Sequence, residues 1–142
     1  MREDTLHMTL AFLGDVPAVR IPELCRVAEG LVLPASELVL DCLGYWEQKH
    51  LCWVGPLRLP ADFKGFVEAL HANLRAKDFP LEARDFVAHV TLLRNVRENL
   101  KIRPLEPPLR WSIDCWQLMA SLPDGPGRRY ESLGEWPGSA GH

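Results

Sequence analysis

No stretch of this chain is apolar for long enough to span a bilayer. The opening Met1-Arg2-Glu3-Asp4 runs straight into a short apolar segment, with nothing that reads as a secretory signal. These absences predict a cytoplasmic protein. Cysteine is scarce and unpatterned: Cys25, Cys42, Cys52 and Cys115 form no C-x-x-C spacing. Isolated cysteines in apolar surroundings read as small buried hydrophobes, although Cys42 and Cys52 could face each other across a hairpin. An excess of positive charge is missing too. A formal net charge of -3 argues against wrapping a long polyanion, and leaves a small phosphorylated ligand or a single nucleic-acid end held by local donors. What remains is the balance of a soluble globular protein, 142 residues with 47% hydrophobic and 25% charged content. That length fits one domain, residues 1–142, with a substantial core.

Against this plain background one phrase occurs twice. His7-Met8-Thr9-Leu10 lies near the start, and His89-Val90-Thr91-Leu92 lies far downstream. Both sit among β-branched and large apolar residues, which favours strands. Side chains alternate along a strand, so His7 and Thr9 share one face, as do His89 and Thr91. Met8, Leu10, Val90 and Leu92 are then expected on the opposite, buried side. A single such phrase reads most simply as strand propensity with an incidental histidine. Two copies in matching contexts need two coincidences.

Around the phrases the periodicity switches between strand and helix. The first phrase predicts a strand over 6–13, stopped by Gly14-Asp15-Val16-Pro17. A helix follows over 21–31, with Pro22 in its first turn and Leu24, Val27, Ala28 and Leu31 on one face. Strands over 38–43 and 50–55 read as a hairpin. Asp62 is the expected N-cap of a second helix that carries Phe63, Phe66, Val67, Leu70 and Leu74 as a stripe and ends near Lys77. The second phrase predicts a strand over 87–96, and Pro104, Pro107 and Pro108 argue against a regular element where they fall. A last strand pair is read over 109–122 and 129–133, followed by a loose tail after Trp136. Each half thus delivers one His-x-Thr strand. The repetition predicts a pseudo-symmetric, two-lobed α+β fold, with antiparallel sheets around a central cleft where the phrases meet and helices outside.

Two imidazoles that titrate near neutrality can serve together, one as base and one as acid. Threonine hydroxyls beside them can hydrogen-bond the non-bridging oxygens of a phosphate. That set suits in-line displacement at phosphorus, where positioning of charge supplies much of the catalysis. The competing reading is a zinc site. It wants a third protein ligand, and the nearby Glu3, Asp4 and Asp85 read more simply as solvated loop charges. No cofactor and no metal are expected, and His50, His71 and His142 belong to no repeated phrase and are assigned no function.

Paired His-x-Thr phrases on strands resemble those of the 2H phosphoesterases, and the fuller contexts resemble the LigT-type RNA 2′,3′-cyclic phosphodiesterases. The likeness runs in order through Leu6 to Val16, Leu43-Gly44-Tyr45, Leu51 to Gly55, Phe86 to Arg94 and Tyr130 to Pro137. It implies metal-independent hydrolysis of a 2′,3′-cyclic phosphate end of RNA or a nucleoside to a 2′-phosphate, with reversible 2′–5′ joining of RNA ends as a further activity. His7 would be the proton donor to the departing 3′ oxygen, and His89 the proton acceptor that activates water. Thr9 and Thr91 would hold the phosphate. Arg94 would add a phosphate contact only if a bend brings it round, since it lies three residues past Thr91; otherwise it is a strand-edge charge. Relatives usually carry a further strand and helix ahead of the first phrase, whereas six residues precede His7 here. This predicts an unpaired apolar edge near Leu10 and Phe12, covered by a homodimer. The same shortness motivates one alternative, a catalytically weak RNA-end or nucleotide-binding module. A further alternative keeps the mechanism and changes the substrate, a 2H phosphodiesterase for another cyclic phosphate or a 2′–5′ oligonucleotide.

Overall fold

The apolar stripe of the second helical segment forms α2, Ala61–Ala76, and all five of its positions are buried. The earlier stripe forms α1, Ile21–Glu29, with Leu24 and Ala28 buried and Pro22 in the first turn. The computed structural model describes residues 6–81, 85–98 and 100–138. Among these, strands run over Ser36–Trp46 (β1), Leu51–Gly55 (β2), Val90–Leu93 (β3), Arg103–Ile113 (β4), Cys115–Asp124 (β5) and Gly127–Pro137 (β6). They make a four-stranded sheet in the order β3-β2-β1-β4 and a two-stranded sheet of β5 and β6. No described helix is long and apolar enough to cross a membrane.

The chain divides into two compact units that do not follow its sequential halves. One gathers the segment ending at Phe12, the segment Glu37–Ala61 and the segment ending at Ser112, and holds both His-x-Thr phrases with the four-stranded sheet. The other gathers Leu13–Ser36, Asp62–Leu81 and the segment beginning at Ile113. Within this second unit Phe66 of α2 meets Trp116 of β5 edge-on at 5.0 Å, and Trp116 pairs across the hairpin with Trp136. Arg20 ties the two helices together: it bonds the Lys77 carbonyl at 2.6 Å and lies 3.8 Å over the Phe79 ring. Asp78 closes α2 in the left-handed conformation (φ 63°), where the Phe79 N–H returns to the Leu74 carbonyl in a Schellman-type end.

Several expected boundaries are corrected. β1 does not stop at Gly44 but runs on to Trp46, because Gly44 lies opposite Trp53 and has no Cβ to obstruct the indole. Pro104, Pro107 and Pro108 sit inside β4. That strand is an edge with one unpaired side, the setting in which a sheet tolerates proline. The expected long strand over 109–122 breaks at Asp114, and its two parts enter different sheets. Asp62 lies within the first turn of α2 rather than ahead of it; its carboxylate accepts from the Phe63 N–H at 2.8 Å and from the Ser36 hydroxyl. Cys42 lies opposite Gly55 and Cys52 opposite Tyr45, so the two thiols do not face each other. Cys42 is buried, as expected of a small hydrophobe, whereas Cys115 is exposed. Of the tail after Trp136, residues 139–142 lie outside the described residues.

Candidate active site

The first phrase does not form a strand. Met8 makes one antiparallel bridge to Val90, and the neighbouring β3 is only four residues long and irregular. The second phrase is likewise shorter than expected, with β3 starting at Val90, just after His89. One bridge is enough to set the facing. With Met8 opposite Val90, antiparallel geometry places His7 across from Thr91 and Thr9 across from His89, all four on the face that Met8 and Val90 leave. The four side chains line one cleft of about 360 Å³, together with Phe12, Trp46, Lys49, Leu51 and Arg94. Among the described residues no carboxylate belongs to that lining.

The sheet supplies the rest of the wall. Trp53 lies opposite both Gly44 and Thr91, and Trp46 lies opposite Leu51, so alternation puts Trp46, Leu51 and Thr91 on the same face. Farther up β1 that face buries Leu38, Leu40 and Cys42; at the Trp46 end it opens into the cleft. Thr91 is the deepest of the four motif residues at 8% exposure, whereas His7 and Thr9 are exposed.

Arg94 joins the cleft through a bulge. On β2, Cys52 and Trp53 are adjacent, yet their partners on β3 are Leu93 and Thr91. The extra residue, Leu92, reverses the alternation beyond it, which returns Arg94 to the side of Thr91. Asn95 then turns the chain at φ 60°. The turn is pinned by Tyr45, whose hydroxyl donates to the Val96 carbonyl at 2.6 Å, while the Val96 N–H donates to the His50 carbonyl at 2.9 Å. His50 therefore takes part in a structural lock.

His89 is held from two sides. Its Nδ1 lies 2.8 Å from the Val87 carbonyl, and a carbonyl only accepts, so Nδ1 carries the hydrogen. In the neutral ring Nε2 is then the proton-free nitrogen. The Trp46 indole packs edge to face against the imidazole at 4.6 Å. Burial is the main cause that lowers the His89 pKa from the ordinary histidine value; the Val87 bond opposes it, and the charges of Lys49, His7 and Arg94 reinforce it. Each influence except the Val87 bond favours a neutral, proton-accepting ring.

Among the described residues no group of three or more His, Cys, Asp or Glu is placed to hold a metal ion; Asp85 is exposed, and Glu3 and Asp4 lie outside the described residues. Sequence reasoning missed Trp46, Lys49, Phe12 and Leu51 as lining. Trp46, the last residue of β1, and Lys49, in the turn to β2, fall between the two expected strands, in a stretch that reads as a bare link until the hairpin register is known. The signal was Gly44 opposite Trp53, which places Trp46 two residues farther along the same face.

Comparison with known proteins places this geometry among close likenesses. The sequence profile of the family described as LigT like Phosphoesterase matches residues 1–53. The RNA 2′,3′-cyclic phosphodiesterase of Escherichia coli (strain K12) is 32% identical over 135 residues, 94% of this chain and 76% of the relative. The protein of the same name from Thermotoga maritima is 30% identical over 139 residues, 87% of this chain and 72% of the relative. Among solved structures, E. coli LigT complexed with 3′-AMP superposes with a TM-score of 0.87 at 29% identity, over 96% of this chain and 79% of that one. E. coli LigT complexed with ATP gives 0.86 at 28% identity, over 99% and 80%.

Proposed function

The chain belongs to the LigT-like 2H phosphoesterases, and from that premise we propose that it hydrolyses the 2′,3′-cyclic phosphate at an RNA or nucleoside end to a 2′-phosphate. The observation that carries the proposal is the single cleft lined by His7, Thr9, His89 and Thr91. In the reaction His89 Nε2 accepts a proton from water as the water oxygen bonds to phosphorus. The bond from phosphorus to O3′ breaks in line, and His7, protonated, donates its proton to O3′. The products are a 2′-phosphate and a 3′-hydroxyl, with the two histidines left in exchanged protonation states that solvent restores. The Thr9 and Thr91 hydroxyls and the Arg94 guanidinium bind the non-bridging oxygens, whose charge grows as water adds. If a 5′-hydroxyl of another RNA replaces water, the same proton transfers yield a 2′–5′ linkage.

The names of the E. coli and T. maritima relatives support the substrate class, and the E. coli LigT complexes with 3′-AMP, ATP and NADP+ support nucleotide-bearing ligands. The cytoplasm is the proposed compartment, where RNA ends are available. The test is incubation with a nucleoside 2′,3′-cyclic phosphate in EDTA. Accumulation of the 2′-phosphate, lost in His7→Ala and in His89→Ala, is expected; full activity in either variant overturns the assignment. A homodimer through the Leu10 and Phe12 edge is a separate proposal, supported by the 68% exposure of Phe12. A monomer in sedimentation at high micromolar concentration overturns it.

A further inference from the structure

The cleft carries more positive charge than the proposed reaction centre requires. A nucleoside 2′,3′-cyclic phosphate is a monoanion, yet the lining holds two permanent cations, Lys49 and Arg94, beside the two histidines. The protein as a whole is acidic, with net charge -3, and among the described residues no carboxylate lines the cleft. The two cations also have different settings. Arg94 is delivered by the β3 bulge to the side of Thr91, the threonine of the second phrase. Lys49 comes from the 3-10 turn Glu47–Lys49 between β1 and β2, which His50 closes at φ 50°. Its ammonium lies 5.3 Å from the centre of the Trp46 ring, and Trp46 in turn packs on His89. The indole thus has the ammonium and the catalytic imidazole as neighbours. A cation supported on an aromatic face at an exposed rim is well suited to an anion adjacent to the scissile group.

Resting on the reading above, we propose that Lys49 binds a second phosphate of the substrate, the internucleotide phosphate preceding the cyclic end. The cleft then selects an oligonucleotide end over a mononucleoside cyclic phosphate. Lys49 acts as a specificity residue, with a contact that a mononucleoside does not offer.

The experiment compares the intact protein, Lys49→Gln, and Lys64→Gln, which removes an equal charge from the exposed side of α2. The substrates are adenosine 2′,3′-cyclic phosphate and a dinucleotide ending in the same group. Lys49→Gln is expected to lower kcat/KM for the dinucleotide about tenfold more than for the mononucleoside, chiefly through KM, as befits loss of one charged contact. Lys64→Gln is expected to leave that ratio unchanged. An equal effect of Lys49→Gln on both substrates overturns the proposal, since a lysine acting only through His89 or the fold lowers both alike. A second readout is binding of a labelled trinucleotide ending in a 2′-phosphate at several salt concentrations. Loss of Lys49 is expected to make the slope of log affinity against log salt shallower by about 0.7, the value for one single-strand phosphate contact. An unchanged slope overturns the proposal. If the intact protein turns over neither substrate but the slope still depends on Lys49, the hydrolytic reading fails and the Lys49 assignment stands.

Discussion

The segments carrying His7 and His89 repeat one sequence pattern, yet the fold holds them differently. The first is irregular chain joined to β3 by the Met8–Val90 bridge, and both its histidine and its threonine are exposed. The second leads into the four-stranded sheet. Its threonine is 8% exposed, and its histidine is oriented by the Val87 carbonyl and the Trp46 ring. Equal sequence therefore does not give equal support. The better-supported imidazole has its tautomer set and its pKa lowered by burial, which suits a proton acceptor. The exposed one keeps access to solvent, from which an acid can be reprotonated after each turnover.

Removing either histidine gives the largest expected effect. His7→Ala and His89→Ala each lower kcat by about 10²–10⁴-fold, the usual contribution of a general acid or base. Steady-state rates over a wide pH range distinguish the two. In the intact protein the acidic limb reports protonation of His89. Because its pKa is lowered, the neutral base persists to a pH below the ordinary histidine value. The basic limb belongs to the proton donor, the role proposed for His7. Each variant is expected to erase its own limb and leave the other; erasure of the acidic limb in His7→Ala instead would exchange the two roles. The threonines come next. Thr9→Val and Thr91→Val each lose a hydrogen bond to an anionic oxygen, and kcat/KM is expected to fall roughly 10- to 100-fold. Thermal melts on the same samples separate this from unfolding, to which the buried Thr91 is the more sensitive.

That the two histidines and two threonines would share one cleft was legible because the phrase occurs twice and the Met8–Val90 bridge keeps the facing that alternation predicts. The helices were legible because their apolar stripes, such as Phe63, Phe66, Val67, Leu70 and Leu74, repeat at helical spacing. What resisted reading depends on the partner strand rather than on the strand itself. Pro104 and its neighbours are compatible with β4 only because that strand is an edge. Arg94 reaches the cleft only because Leu92 is an extra residue relative to β2. Trp46 and Lys49 become part of the site only once the β1–β2 register is known. Periodicity within one segment carries none of this information.

A smaller effect probes the support of the second phrase. A Cβ added at Gly44 would lie 2.1 Å from the Trp53 ring, which is a rigid neighbour and lies opposite Thr91 in the sheet. Gly44→Ala is expected to destabilise the protein by about 1–3 kcal/mol, the usual penalty of overpacking, and to lower the melting temperature. The displacement reaches Thr91 through Trp53, so KM is expected to rise along with the loss of stability. An unchanged melt and KM would show that the sheet does not position the second phrase as the contacts imply.

The smallest expected effect is a shift of one pH limb. Among the described residues the charged groups that act on His89 are Lys49, His7 and Arg94, and all three lower its pKa. Their like charge disfavours the imidazolium, so removing one makes protonation easier and raises the pKa. Lys49→Gln is therefore expected to move the acidic limb of the profile to higher pH and leave the basic limb in place. Lys49 is exposed, so salt screens its influence and the displacement in the intact protein is larger at low ionic strength. The burial of His89 is unaffected by salt, which leaves a lowered pKa in the variant as well. Comparing the salt dependence of the limb in the intact protein and in Lys49→Gln thus isolates the screened contribution of Lys49 from burial and from the charges of His7 and Arg94, which both proteins keep. If the limb moves with salt as much in Lys49→Gln as in the intact protein, Lys49 does not act on His89, and the Trp46 ring between them serves the imidazole alone.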